Sequence, residues 1–309
     1  MSKKTKNISK KKKQKILVYG ITGLLGTRIG QLLSNKFDII GPPHSLLDLT
    51  DKKKVYQNLF DTEPDQIVYC AGVTRVDQAE LNNKLAFDTN CKAIDFIAKN
   101  AAVLNIPVCY ISTDAIFDGK QKNKPYKEFD IPNPISVYGK SKLAGEKSVL
   151  NASNRNTVVR TIMIYSANFP HKLDFARVAY NSLRDNQYFE GIVDQYVNPT
   201  FVDDLVMGIE EIITNKASGI YHVAATDCIT NYEFAKKIAK KFNFDTRLLK
   251  KVYFEDFFKD KPAPRSQYSC LDTKRFQKKF GKNILKSIDK SLTQFKKQIE
   301  AQGSSPVKL

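Results

Sequence analysis

A phenol and an amine four residues apart, Tyr138-Gly-Lys-Ser-Lys142, form a pair able to exchange a proton with a carbonyl or an alcohol. On a helix, the i, i+4 spacing puts both side chains on one face. A phenol titrates near ~10 and is a poor acid at neutral pH; a neighbouring ammonium stabilises the phenolate and lowers that value. Upstream, Ser112-Thr113-Asp114 closes an apolar run and adds hydroxyls at what reads as the carboxyl end of a strand. By itself Tyr-x-x-x-Lys describes many solvated helix faces. At the carboxyl edge of an α/β sheet, where such folds bind ligands, hydroxyl, phenol and lysine become a candidate catalytic set.

A second motif, Gly20-Ile-Thr-Gly23-Leu-Leu-Gly26, lies between the apolar run Ile16–Tyr19 and a helical pattern of Leu25, Ile29, Leu32 and Leu33. Glycines there permit a tight turn, close approach of the backbone to a pyrophosphate, and close helix–strand packing. The helix N-terminus adds free N–H groups and the positive end of its dipole. The placement of this triplet between strand and helix points to a nucleotide site.

The elements around these motifs repeat one plan. Strands are expected at Phe37–Ile40, Gln66–Cys70, Ile106–Ser112 and Thr157–Ile164, and helices over 52–61 and 136–150. Phe87, Cys91, Ile94, Ala98 and Ala101 mark one face of a long helix. This alternation predicts an α/β fold, a Rossmann-type doubly wound parallel sheet over residues 15–165. Past 165 it weakens: helices near 171–184 and 231–241, a loop at Asp194–Thr200, a strand Ile220–Val223 and a closing amphipathic helix (Leu285, Ile288, Leu292, Phe295, Ile299) suggest a smaller mixed lobe. Residues 166–309 are therefore expected to be mainly a substrate lobe, with some segments free to return to the sheet.

Composition narrows the function class. The 309 residues are 42% hydrophobic and 27% charged, which fits a folded globular chain. No apolar run approaches the ~18 residues of a membrane span. The basic stretch before Ile16 meets Gly20, Gly23 and Gly26 where a leader would have its cleavage site, so no secretory leader is expected. Net charge is +18, but residues 1–15 hold +8 and residues 233–309 hold +12, leaving −2 for the body. A near-neutral body with basic ends does not suggest a nucleic-acid partner, and residues 1–14 read as a solvated basic tail. Five cysteines without a C-x-x-C pair predict a reduced, cytoplasmic chain, and three scattered histidines offer no metal set.

Taken together, the motifs resemble the dTDP-4-dehydrorhamnose reductase family of the extended short-chain dehydrogenase/reductases. The likeness rests on Cys70-Ala-Gly-Val-Thr-Arg-Val-Asp-Gln-Ala-Glu80, Ile111-Ser-Thr-Asp-Ala-Ile-Phe-Asp-Gly119, Tyr138-Gly-Lys-Ser-Lys-Leu-Ala-Gly-Glu146 and Asp194-Gln-Tyr-Val-Asn-Pro-Thr200. It implies an NAD(P)H-dependent reductase of the C4 ketone of a nucleotide-linked 6-deoxysugar, with a homodimer as the candidate assembly. By the same resemblance Tyr138 protonates the carbonyl oxygen, Lys142 depresses the Tyr138 pKa and holds the nicotinamide ribose, and Thr113 bonds near that oxygen. Gly20, Gly23, Leu24, Leu25 and Gly26 would lie against the cofactor phosphates, Asp48 and Leu49 beside the adenine, and Gly72, Val73 and Thr74 along its inner side. Thr113, Asp114, Met163, Thr200 and Arg265 would meet the substrate.

The chain departs from the family pattern on the substrate side. Arg160-Thr-Ile-Met163 stands where the family has Arg-Thr-Ser-Trp, and Arg265-Ser266 replaces Arg-Pro. The pair after the threonine is Asp114-Ala115, where a dehydratase would carry Asp-Glu. The second strand ends without an acid to grip a ribose 2′-hydroxyl, which favours NADPH, with NADH the alternative. An epimerase of the superfamily, or an NADP-binding regulatory subunit resembling the methionine adenosyltransferase β subunit, are the competing expectations.

Overall fold

The computed structural model describes residues 12–122 and 124–302, so the expected basic tail lies outside the described residues up to Lys11. The chain runs through β1 (Lys15–Tyr19), α1 (Leu24–Leu33), β2 (Asp38–Ile40), α2 (Lys52–Thr62) and β3 (Gln66–Tyr69). Two short helices, α3 (Val76–Leu81) and α4 (Asn83–Phe87), pass through a π-helical segment at Asp88–Ala93 into α5 (Ile94–Val103) and β4 (Val108–Thr113). Next come α6 (Val137–Ala152), β5 (Thr157–Thr161), β6 (Ile164–Tyr165), α7 (Phe175–Arg184), β7 (Phe189–Ile192), β8 (Tyr196–Val197) and β9 (Thr200–Phe201). Then follow α8 (Val202–Thr214), β10 (Gly219–His222), β11 (Ile229–Thr230), α9 (Asn231–Phe242), β12 (Leu249–Val252), α10 (Phe254–Phe258), α11 (Lys274–Phe280) and α12 (Ile288–Ala301).

Six strands form one parallel sheet in the order β2-β1-β3-β4-β5-β10. The period of two along each strand sorts its side chains onto two covered faces. Ile16 and Val18 point to the α1 and α8 side with Leu25, Ile29, Leu205 and Ile209. Leu17 and Tyr19 point to the α2, α5 and α6 side with Val55, Leu59, Ile97 and Val149. Strand order reverses between β1 and β3, and the crevice at such a reversal, outside the carboxyl ends of the strands, is where doubly wound sheets hold nucleotides. A third core joins α7, α9 and α12 through Ala176, Phe234, Ile238, Leu292 and Phe295. Among the described residues, no helix is long and apolar enough to cross a membrane.

Two expectations change. The strand foreseen over Thr157–Ile164 stops at Thr161, because Met163 takes φ of 43° and turns the chain out of the main sheet; β6 then pairs with β9. Residues 219–222 are a segment past 165 that joins the main sheet, as β10 beside β5. The cysteines are not all thiols: Cys228 and Cys270 form a disulfide across a separation of 42 residues, while Cys70, Cys91 and Cys109 are free. Spacing gave no cue to that pair, since the two loops meet only once the lobe has folded.

Candidate active site

The turn after β1 has the form its glycines require. Gly20 adopts φ of +89°, and a Cβ there would lie 2.6 Å from the Ala71 nitrogen of the β3 exit. A Cβ on Gly26 would lie 2.2 Å from the Gly20 carbonyl oxygen, so α1 can sit this close to the turn only without a side chain. Gly23 caps α1 with no side-chain acceptor, and no acid occupies the first turn. Leu24 and Leu25 thus open a helix whose N–H groups and dipole are left for an anion. This cradle fits the pyrophosphate of a dinucleotide. Gly72, Val73 and Thr74 follow the neighbouring strand β3, on the other side of the switch point.

Asp48 and Leu49 lie after β2. Asp48 is exposed and accepts from both the Thr50 amide and hydroxyl at 2.8 Å, bonds that hold its pKa below the usual carboxylate value. Leu49 packs against the α2 side of the core. Asp38 pairs in register with Lys15, the first residue of β1, which puts its carboxylate at the opposite edge of the sheet from the cradle. No acid therefore stands at the β2 exit to repel a 2′-phosphate.

Helix α6 is anchored at its start by two caps. The Ser136 hydroxyl accepts from the Gly139 amide at 3.1 Å, and the Glu80 carboxylate of α3 accepts from the Val137 amide at 2.9 Å. A Cβ on Gly139 would lie 2.0 Å from the Ala115 carbonyl oxygen. That close approach brings half-buried Tyr138 against the end of β4, where the Thr113 side chain opposes the rise in the phenol's pKa. Thr113 also donates to Asp114 Oδ1 at 2.9 Å and accepts from the Ala115 amide at 3.2 Å. The Ser269 hydroxyl opposes the rise in the Asp114 pKa. Burial pushes Asp114 up to about 6 and Tyr138 up to about 12.

Lys142 departs from the simple expectation. Its ammonium donates to the Ile111 carbonyl at 2.6 Å and sits 4.0 Å above the Tyr110 ring centroid. Desolvation pulls its pKa down to about 7, against the pull of Glu146 and Cys70. In this arrangement the dominant influence on Tyr138 is burial, which raises the phenol; the lowering by Lys142 expected from the spacing is not present.

Sequence reasoning missed Asn90. The helix read as continuous from Phe87 to Ala101 widens into the π-helical segment here, and the carbonyls this frees are taken by two strand tyrosines. Tyr69 donates to the Thr89 carbonyl and Tyr110 to the Asn90 carbonyl, each at 2.9 Å. The wholly buried Asn90 side chain accepts from the Val73 amide at 2.9 Å and donates to the Val73 carbonyl and to Ser141 of α6. One residue thus ties the Gly72–Thr74 loop to the helix carrying Tyr138 and Lys142. The available signal was a polar residue three after Phe87 and four before Ile94, inside the apolar stripe. Asn90→Ala is expected to cost roughly 1–3 kcal/mol by leaving the Val73 amide unpaired. Urea denaturation would measure it, and cofactor affinity should weaken in parallel.

The substrate-side residues divide. Arg265 reaches α3: its guanidinium meets Asp77 at 2.9 Å, donates to the Ala263 carbonyl at 2.8 Å and lies over the Phe258 ring. The structure therefore brings it to the first turn of α3, the helix that follows the Gly72–Thr74 loop. Met163 is half-buried at its strained turn, its carbonyl accepting from the Thr200 amide at 3.1 Å. Thr200 is buried, and its hydroxyl donates to the Asn198 carbonyl at 2.8 Å. The polar side chains of its motif fasten loops instead, with Asn198 bonding Ala225, Asp227 and Leu271, and Asp194 bonding Phe254 and Gln267.

Comparison with known proteins decides the family. Residues 14–300 match the model described as RmlD substrate binding domain. The chain belongs to this family. A dTDP-4-dehydrorhamnose reductase of Aggregatibacter actinomycetemcomitans is 30% identical over 280 residues, covering 86% of this chain and 93% of the relative. The crystal structure of the dTDP-4-dehydrorhamnose reductase of Bacillus anthracis in complex with NADP superimposes with a TM-score of 0.86 at 30% identity, covering 93% of this chain and all of that one. The methionine adenosyltransferase 2 subunit beta of Bos taurus is 29% identical over 290 residues, covering 85% of this chain and 82% of the relative. As a member of the RmlD family the chain is thus similar over nearly its whole length to proteins named as reductases and to one named as a subunit.

Proposed function

We infer that the protein is an NADPH-dependent sugar-nucleotide reductase, acting on the C4 ketone of a nucleotide-linked 6-deoxysugar, with dTDP-4-dehydrorhamnose as its substrate. The observation that supports the reading is Tyr138 beside Thr113 at the carboxyl edge of β4, with Lys142 one helical turn on and bonded to the Ile111 carbonyl, next to the switch point and its glycine cradle. NADPH, when bound, supplies the hydride. Tyr138 holds a proton at its phenol oxygen and gives it to the oxygen that becomes the alcohol. Thr113 fixes the direction of that phenol. Lys142, on the next turn of α6, carries the charge that steadies the developing phenolate once its ammonium swings from the Ile111 carbonyl.

The reading favours NADPH over NADH, because the acid that would discriminate against a 2′-phosphate is at the far edge of the sheet. Steady-state oxidation of each cofactor by the purified protein with dTDP-4-dehydrorhamnose tests both points. Turnover with a higher kcat/KM for NADPH is expected. Tight NADPH binding without turnover on this sugar would reject the substrate and leave the regulatory-subunit reading in its place.

A further inference from the structure

The amino ends of the strands form the edge of the sheet opposite the candidate active site, and a groove runs across them. Its lining comes from residues that stand just before β1, β3, β4, β5 and β10, among them Gln14, Asp65, Pro107, Arg155 and Ser218. Five exposed cations, Lys12, Lys13, Lys36, Arg155 and Lys216, line it against one acid, Asp65. The Asp65 carboxylate already accepts from the Lys15 amide at 2.7 Å. Lys36 pairs with Glu210 of α8. Lys13 and Arg155 instead donate to the Ser34 and Asn105 carbonyls, at 2.7 and 2.9 Å, which fixes their positions without neutralising them.

Helices α1, α5, α6 and α8 end at this edge, and cations there balance the negative ends of their dipoles. That balance explains charges at helix ends. It does not explain the segment that leads into the groove at Lys12, since residues 1–11 add five lysines and no acid. Nor does it explain apolar surface beside the charges. Leu104 lines the groove and is 43% exposed, and the adjoining Val103 is 81% exposed.

We propose that this face docks on an anionic lipid surface, with its cations against headgroup phosphates and Val103 and Leu104 at the acyl boundary. Clusters of about 4–8 lysines and arginines bind such surfaces, each cation near the surface adding about fivefold in affinity. A groove for single-stranded nucleic acid would set exposed aromatic rings among its cations for base stacking. The aromatic residue that lines this one, Phe37, is buried in the core on the α1 side. Docked this way, the protein turns the carboxyl edge of the sheet, with Tyr138 and the glycine cradle, away from the lipid. The inference does not depend on the reduction assigned above.

The test uses the full chain in flotation with vesicles of phosphatidylcholine, alone or mixed with phosphatidylglycerol. Binding is expected to the mixed vesicles and not to phosphatidylcholine alone, and it should weaken as salt rises. Arg155→Gln keeps a donor for the Asn105 carbonyl, and Lys216→Asn suits the left-handed backbone there, at φ of 48°. Together these two changes should lower affinity for the mixed vesicles by roughly 25-fold. Val103→Ser with Leu104→Ser should weaken it several-fold while leaving its salt dependence intact. All four positions lie at the far edge from Tyr138, and an unfolding midpoint close to that of the wild type will show that each variant is folded. Failure to bind the mixed vesicles, equal binding to phosphatidylcholine alone, or an unchanged affinity in either double variant would overturn the proposal. Tighter binding to a single-stranded RNA than to the vesicles would overturn it too, by giving the groove a different occupant.

Discussion

Replacing Tyr138 with Phe is expected to lower kcat by roughly 10²- to 10⁴-fold, the range by which a positioned acid accelerates proton transfer. The ring stays and only the hydroxyl goes. The caps that start α6 use the Ser136 hydroxyl and the Glu80 carboxylate on backbone amides, so the helix keeps its anchorage. The glycine cradle proposed for the cofactor phosphates lies at the β1 exit and the variant does not touch it. NADPH affinity, read by fluorescence titration, should therefore change little while turnover collapses. Burial holds the wild-type phenol protonated, at about 12. Its proton is thus present throughout the neutral range, and the loss in Phe should be seen at every pH. Retention of near-normal turnover would mean that the proton comes from another group.

The second large effect concerns stability. Arg160 of β5 and Glu146 of α6 form a two-pronged ion pair, with Nε to Oε1 at 3.0 Å and the second prong at 2.7 Å, each side chain only 2% exposed. The third guanidinium nitrogen donates to the Glu128 carbonyl, and the group faces the Phe117 ring at 5.3 Å. Two charges withdrawn from water are tolerable because every prong is satisfied; removing one partner strands the other. Glu146→Gln or Arg160→Met should each cost roughly 3–5 kcal/mol in urea denaturation. The double replacement by apolar residues of similar volume should be less damaging than either single change. Lys99 and Asp95 form an exposed pair along α5, and Lys99→Ala should leave the midpoint nearly unmoved. Since Glu146 lies one turn beyond Lys142, the buried pair also fixes how the catalytic helix sits on the sheet. Single variants that still fold should lose turnover as well.

The parts of this site that were legible in sequence are those governed by local rules. Ile16–Tyr19 followed by three glycines and a 3.6-residue apolar stripe can hardly be anything but strand, turn and helix. Tyr138 and Lys142 share a helix because their spacing demands it. What escaped depends on contacts between distant segments. Asn90 has meaning only because Val73 and Ser141 arrive around it, 17 and 51 residues away. Cys228 and Cys270 meet through the fold of the smaller lobe. Lys142 turns from Tyr138 because the Ile111 carbonyl, 31 residues earlier, offers a buried acceptor. Met163 breaks a strand that its apolar neighbours would have continued, by entering a left-handed conformation no periodicity announces.

On the proposed function, this chain delivers a hydride from NADPH to the C4 carbon of a sugar nucleotide. The most direct test uses NADPH carrying two deuterons at nicotinamide C4, incubated with the protein and dTDP-4-dehydrorhamnose, with the sugar nucleotide then recovered for mass and NMR analysis. The account predicts one deuteron on sugar C4 for each NADPH consumed, and a hydroxyl in place of the ketone. Recovery of an unlabelled ketone, or of a product altered elsewhere on the ring with NADPH unspent, would contradict it.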